Sequence, residues 1–450
     1  MTLAVSPKKI DEFLELAREM EVETNDMGEF TDTGMFHVTW GDETVACLSM
    51  EFMHEGDPDL DLTARWTPPR FAEPEPFAGA DLTPDLIAML ARLNLCSGEK
   101  KARHYDHEVK GLTVVKPWIG VEQDVPAEAT VFMARHGSQR GFVLAEAVNP
   151  FLSDIDTYAM TVAVVDEAVR KLVCAGARTD RIAALDNFCW PDPVQSDHTP
   201  DGEYKMAQLV RSCRALYDTT LAYGTPLISG KDSMKNDSNM GGVKISVPPT
   251  LLLSAVGQID DVHNAVTADF KQDGDLVYLL GTTCDECGGS EYFRHLGEKA
   301  GVTGKPGEPA PYVGNSPPRI DPKQTLPLYR ALEKAMEAGL VRSASTPARG
   351  GLILALARSA MAGMLGAEID LHIDLPSDRA LFSESGGRFV ITVAGKDLTA
   401  FEAAMAGQPC NRIGAVNTGN RLVVRHGGKT VADASIAAMK TAFKETLSHV

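Results

Sequence analysis

Residues 28–50 read GEFTDTGMFHVTWGDETVACLSM, and residues 414–436 read GAVNTGNRLVVRHGGKTVADASI. Without gaps, Gly28, Val38, Gly41, Thr44, Val45 and Ala46 fall on Gly414, Val424, Gly427, Thr430, Val431 and Ala432. Apolar residues alternate in both stretches, and the alternation breaks at Gly41-Asp42 and at Gly427-Gly428, which predicts a β-hairpin. An amphipathic helical stretch precedes each copy, at 11–20 and at 398–406, so the repeated unit is a helix and then a hairpin. One copy opens the chain and the other closes it. The sequence therefore reads as the tail of one repeat, residues 1–54, followed by one complete repeat.

Residues 55–82 are rich in Pro and acidic side chains without periodicity, the composition of a linker. Beyond them the spacing predicts helices over 84–95, 158–176, 201–223, 325–338, 351–363 and 398–406. Strands are predicted over 109–115, 129–134, 182–185, 225–229, 250–257 and 276–281. Alternating strands and helices indicate an α/β (α+β) fold. With a boundary at Val247-Pro248-Pro249, where 250–257 starts a second strand-rich unit, the domains are 83–248 and 249–450.

The chain has 450 residues, 43 Lys+Arg and 62 Asp+Glu, for a net charge of -19. That length suits two or three domains. Such acidity disfavours nucleic acid as a partner, because its phosphates would be repelled. No apolar run reaches the roughly 20 residues of a membrane span, and the N-terminus lacks the pattern of a signal peptide. The expectation is a soluble, cytoplasmic protein. Its 8 cysteines are scattered and read as reduced thiols. Cys284-Asp-Glu-Cys287 has no second ligand pair at zinc spacing. His104 and His107 fall on a predicted strand, facing opposite sides, which is poor geometry for a metal.

The richest stretch chemically is PLISGKDSMKND at 226–237, which places Gly230, Lys231, Asp232 and Ser233 in a predicted loop after a short strand. Gly permits close backbone approach, Lys neutralises phosphate, Asp holds Mg²⁺ and Ser donates to oxygen. The frame of a Walker A loop is absent. Asp186-Asn187 ends a predicted buried strand, where α/β folds often place ligand groups. Gly288-Gly289-Ser290 would nest an anion or cap a helix. Glu384-Ser385 puts a carboxylate and a hydroxyl before an apolar strand, and its loop is a second candidate phosphate loop. Asp166 and Arg170, four apart, predict an ion pair within a helix.

Together these motifs resemble the phosphoribosylformylglycinamidine synthases of purine biosynthesis. The segments that carry the resemblance are YDHEVKGLTVVKP (105–117), NPFLSDIDTYAM (149–160), DEAVRKLVCAGA (166–177), DRIAALDNFCWPDP (180–193), PLISGKDSMKND, CGGSEYFRHLG (287–297) and LFSESGGRFVITV (381–393). They occur in family order, with 1–54 similar to the end of the family's first half and 83–450 to its second. The resemblance implies an aminoimidazole-ribonucleotide-synthetase-like N-terminal domain, a C-terminal α/β domain, and an ATP-dependent amidation of formylglycinamide ribonucleotide. It implies that Asp186, Asn187, Gly230 and Lys231 meet ATP, and that Ser233 and Asp232 meet the ribonucleotide. The first half's catalytic His and the glutaminase domain have no match in this chain, so no catalytic set is complete. The implied partners are an N-terminal half and a glutaminase that supplies ammonia. At an auxiliary nucleotide site, Glu146 and Glu167 match Mg²⁺ ligands, whereas Lys171, Thr346 and Ala348 replace family Asn, Asp and Ser residues. A Lys ammonium and Arg349 would then stand in for bound Mg²⁺. The alternative is a non-catalytic scaffold that retains the fold.

Overall fold

The computed structural model describes residues 1–77, 79, 81–302 and 312–449. The chain divides into two compact units, residues 1–62 and 63–450. The first holds α1 (Ile10–Glu19), β1 (Met35–Trp40), β2 (Glu43–Ser49) and α2 (Met50–Glu55). β1 and β2 form the hairpin that the repeat predicts, turning at Gly41, whose φ of 59° is the left-handed conformation that a Cβ disfavours.

The second unit begins at residue 63, and its described residues before 83 (63–77, 79, 81 and 82) lack regular structure yet are held in place. Trp66 stacks on Tyr204 at 5.3 Å, and the Phe77 amide donates to Asp378 at 3.0 Å. α3 (Thr83–Leu90), α4 (Glu99–Ala102), β3 (Thr113–Val115), β4 (Trp118–Ile119), β5 (Val125–Pro126), β6 (Thr130–Met133) and β7 (Gly141–Val148) follow. Then come α5 (Thr157–Cys174), β8 (Ile182–Cys189), α6 (Gly202–Tyr223), β9 (Leu227–Ser233), β10 (Asp237–Met240), β11 (Val243–Ser246) and β12 (Thr250–Ile259). The remainder is β13 (Leu276–Leu280), α7 (Glu291–Lys299), α8 (Pro322–Glu337), β14 (Ser343–Ser345), α9 (Gly351–Gly363), β15 (Gly366–Leu371) and α10 (Ser377–Phe382), then β16 (Phe389–Val393), α11 (Leu398–Ala404), β17 (Cys410–Asn417), β18 (Arg421–His426), β19 (Lys429–Ser435) and α12 (Ile436–Glu445).

One sheet has six strands in the order β3-β6-β7-β12-β8-β9, and a second has seven in the order β14-β16-β13-β17-β15-β18-β19. The α/β character read from the sequence is what the structure has. β12 departs from expectation. It lies inside the first sheet between β7 and β8 instead of opening the second. Its alternating burial explains the placement: Leu251, Leu253 and Ala255 enter the core under α5, while Leu252, Ser254 and Val256 are only partly covered. The predicted strand over 109–115 shrinks to β3, because Lys110 and Gly111 both take positive φ. His104 therefore lies in a turn and His107 in irregular chain, neither on a strand.

α5 runs along the inner face of the first sheet, and its core continues through α8 to the second sheet, where Tyr278, Phe389 and Ile391 join it. The other face of the second sheet packs on α9, α12 and α3 around Leu356, Leu422 and Phe443. Among the described residues no helix is long and apolar enough to cross a membrane.

Candidate functional site

β8 and β9 run parallel, with Asp186 opposite Gly230, Asn187 opposite Lys231, Phe188 opposite Asp232 and Cys189 opposite Ser233. Gly230 to Ser233 thus belong to a strand, not to the loop that the sequence suggested. Asp186-Asn187 sits within β8 instead of at its end. An edge strand with one neighbour tolerates polar side chains on both faces while its ladder satisfies the backbone.

Strand alternation sorts the predicted residues onto two faces. Asp186, Gly230 and Asp232 take the helix side. There, burial chiefly and then Asp232 and Asp186 raise the pKa of the Cys213 thiol on α6. Burial, assisted by Asp232, also raises the pKa of Asp186. A Cβ on Gly230 would stand 3.0 Å from Asp186 Oδ1, the far end of a side chain that must shift by a few tenths of an ångström to admit it. Asn187, Lys231 and Ser233 take the opposite face, which carries the exposed side chains of Phe142, Leu144 and Glu146. Lys231 Nζ donates to Ser233 Oγ. Asn236 Nδ2 donates to the Ser233 carbonyl at 2.8 Å and reaches Cys189 Sγ at 3.4 Å. The result is an exposed ammonium–hydroxyl–amide patch on an edge strand. Chemically, it can bind an oxyanion and orient a neighbouring polar group.

A second polar region lies between the two sheets, where α5 meets the loops at 346–350 and 383–388. Its cavity is lined by Asn149, Glu167 and Arg170 from one side and by Ala348, Arg349 and Glu384 from the other. Arg170 Nε bonds Asp166 Oδ2 at 2.6 Å, the predicted pair, and Arg170 also reaches the carbonyls of Pro347 and Arg388. Lys171 Nζ bonds Glu167 Oε1 at 2.7 Å and the Glu146 carbonyl at 2.9 Å. Burial opposes ionisation of Glu167, but Lys171, Arg349 and Arg170 outweigh it and hold the carboxyl below its usual range. Thr346 gives its amide and hydroxyl to Glu128 at 3.0 and 2.5 Å.

These residues do not fit Mg²⁺. The Glu146 carboxylate points to the other side of the sheet, where Ser254 Oγ donates to it at 3.2 Å, so it does not join Glu167. The Lys171 ammonium already neutralises Glu167. Among the described residues no group of three His, Cys, Asp or Glu is arranged to hold a metal ion. In this arrangement Glu146 and Glu167, the expected metal ligands, do not share one site.

The suspected phosphate loops are knitted to one another. Gly288 and Gly289 amides donate to the carbonyls of Ser316 and Val313, and Ser290 caps α7 by accepting from Phe293 at 3.2 Å. Ser385 Oγ accepts from the Cys284 amide at 3.0 Å. Glu384 Oε1 accepts from the amides of Gly350 at 2.8 Å and Glu291 at 3.1 Å, bridging the starts of α9 and α7. The N–H groups that an anion would use are thus taken by protein oxygens. Burial pushes the Glu384 carboxyl up to about 7. Sequence reading missed Glu128, which stands 218 residues from its partner Thr346. It also quoted Asn236 inside a motif without giving it a role; the signal available was its Asn three residues after Ser233.

Residues 272–427 match the family model of the AIR synthase related protein, C-terminal domain. The PurL subunit of phosphoribosylformylglycinamidine synthase from Thermobifida fusca is 29% identical over 99% of this chain and 56% of its own length. Two structures from Thermotoga maritima share the fold. PurL complexed with FGAR superposes with a TM-score of 0.57 at 17% identity, over 80% of this chain and 54% of that one. PurL complexed with ATP gives 0.53 at 17%, over 80% and 52%. The chain spans about half the length of the curated relatives it matches.

Proposed function

We propose that this chain, which matches the C-terminal half of phosphoribosylformylglycinamidine synthase subunits, supplies that half to an ATP-dependent amidation. In the reaction, the formyl-amide oxygen of formylglycinamide ribonucleotide takes the γ-phosphoryl group of ATP, releasing ADP. Ammonia then adds to the activated carbon, and phosphate leaves with the C–O electron pair. The chain's own part is binding and orientation. Lys231 brings a positive charge to phosphate oxygens, Ser233 offers a hydroxyl to the ribonucleotide, and Asn187 completes the same face. Asn236 fixes the Ser233 backbone, so these groups meet the ligand already ordered.

The observation that carries this reading is the placement of Asn187, Lys231 and Ser233 together on one exposed sheet face, within a chain matched end to end. An N-terminal half would supply the remaining catalytic groups, and a glutaminase the ammonia.

The test is amidation with ammonia, ATP and ribonucleotide, run with and without an N-terminal half. Turnover that requires both halves is the expected result. Stable association without any turnover would instead favour the scaffold reading.

A further inference from the structure

The two hairpins of the sequence repeat coincide element by element at an offset of 386 residues. β1 maps onto β18, β2 onto β19, and α2 begins where α12 begins. Their registers agree as well: Val38 pairs Ala46 as Val424 pairs Ala432, and a bulge follows Val38 just as one follows Val424. Ser49 caps α2 through the Phe52 amide as Ser435 caps α12 through the Ala438 amide. Such agreement identifies two copies of one packing device.

Their burial is opposite. Leu422 and Val424 are 0% exposed, and Ile436 is 2% exposed. Their counterparts Phe36, Val38 and Met50 are 46%, 36% and 37% exposed. The buried copy shows what the device binds. β18 adds in parallel to the edge of β15, with Ala367 opposite Leu422 and Ile369 opposite Val424, while α12 packs on α9 and α3. The single acceptor edge of this kind among the described residues, β15, already carries the chain's own β18.

We infer that β1, β2 and α2 are a docking element that completes a second AIR-synthase-type C-terminal sheet, supplied by polypeptide outside residues 1–450. β1 joins that sheet in parallel, and Phe36, Val38 and Met50 fill its core. This rests on the proposed function and names the contact through which an N-terminal half is held. A second copy of this chain is excluded as the partner because its own acceptor edge is filled.

The test places a photoreactive residue at Trp40, whose counterpart His426 lies opposite Leu371, in the full chain expressed in its own cells. The expected cross-linked peptide is the strand corresponding to β15 in an AIR-synthase-type sheet outside residues 1–450. Capture of residues 63–450, capture of a second copy, or no capture overturns the inference. Phe36→Asp with Val38→Asp is expected to lower capture at least about 100-fold, because two apolar side chains lose their burial. Thr39→Asp, whose counterpart Arg425 is only half-buried, is expected to change it less than about threefold. Unchanged capture by the double variant also overturns the inference. Circular-dichroism melting checks that both variants fold. Amidation is assayed on the same preparations: docking without amidation removes the functional reading and leaves the docking, and amidation without capture does the reverse.

Discussion

Two lysines of the second unit meet different fates. Lys231, on an exposed edge strand, has a neutral hydroxyl beside it, so its charge stays available to an incoming anion. Lys171, on the buried helix α5, is matched to Glu167 at 2.7 Å and held by the Glu146 carbonyl. Around it Arg170, Asp166, Glu128 and Thr346 satisfy one another across the junction of the sheets. The first region is polar and open, the second polar and closed. What separates a binding surface from an internal strut is whether the charges already have partners, not how many there are.

The strongest way to break this comparison is Arg170→Ala. Arg170 is the charged partner of Asp166, which is fully buried and also accepts from Tyr223 and Tyr329. Removing the guanidinium strands a buried carboxylate, at an expected cost of about 3–5 kcal/mol in urea unfolding. A loss below about 1 kcal/mol would show that the junction is not a strut.

Next comes Glu384. Its carboxyl titrates at about 7 in the fold, against an ordinary 4.5, because burial favours the protonated form. Between those values the folded state holds more protons than the unfolded one, so stability falls as pH rises from about 4.5 to about 7. The difference corresponds to about 3 kcal/mol over that window. Glu384→Gln keeps an oxygen for the amides of Gly350 and Glu291 and should flatten the slope. Equal slopes in the two proteins would remove Glu384 as its origin.

How much of this was legible beforehand depends on the range of the interaction. The hairpins, the helices and the Asp166–Arg170 pair depend on neighbours within a few residues, and periodicity exposes them. The placement of β12 and the contact of Glu128 with Thr346 are set by distant partners, which periodicity does not encode. The split of Asp186 from Asn187 was hidden for a smaller reason. Once β8 is known to continue to Cys189, alternation alone puts them on opposite faces.

On the open patch, Ser233→Ala should lower turnover of the assembled enzyme about tenfold, the value of one hydrogen bond made to substrate. Its stability should stay within about 0.5 kcal/mol of the parent, since Ser233 lies on an exposed strand. Unchanged turnover would move the binding face elsewhere.

The smallest effect sharpens the comparison most. In Gly230→Ala the new methyl stands 3.0 Å from Asp186 Oδ1, the movable end of a side chain. A small strain is offset by the reduced freedom of the unfolded chain, so the net change should lie within about 0.5 kcal/mol of zero. Gly230 faces the helices, whereas Lys231 and Ser233 face away, and so turnover should fall by less than about threefold. A nucleotide pressed against the Gly230 backbone would make the same methyl cost far more, tenfold or beyond by about 1.4 kcal/mol of lost transition-state binding. That larger loss would place the nucleotide on the helix side of β9, beside Asp186 and Asp232, and reverse the assignment of the two faces.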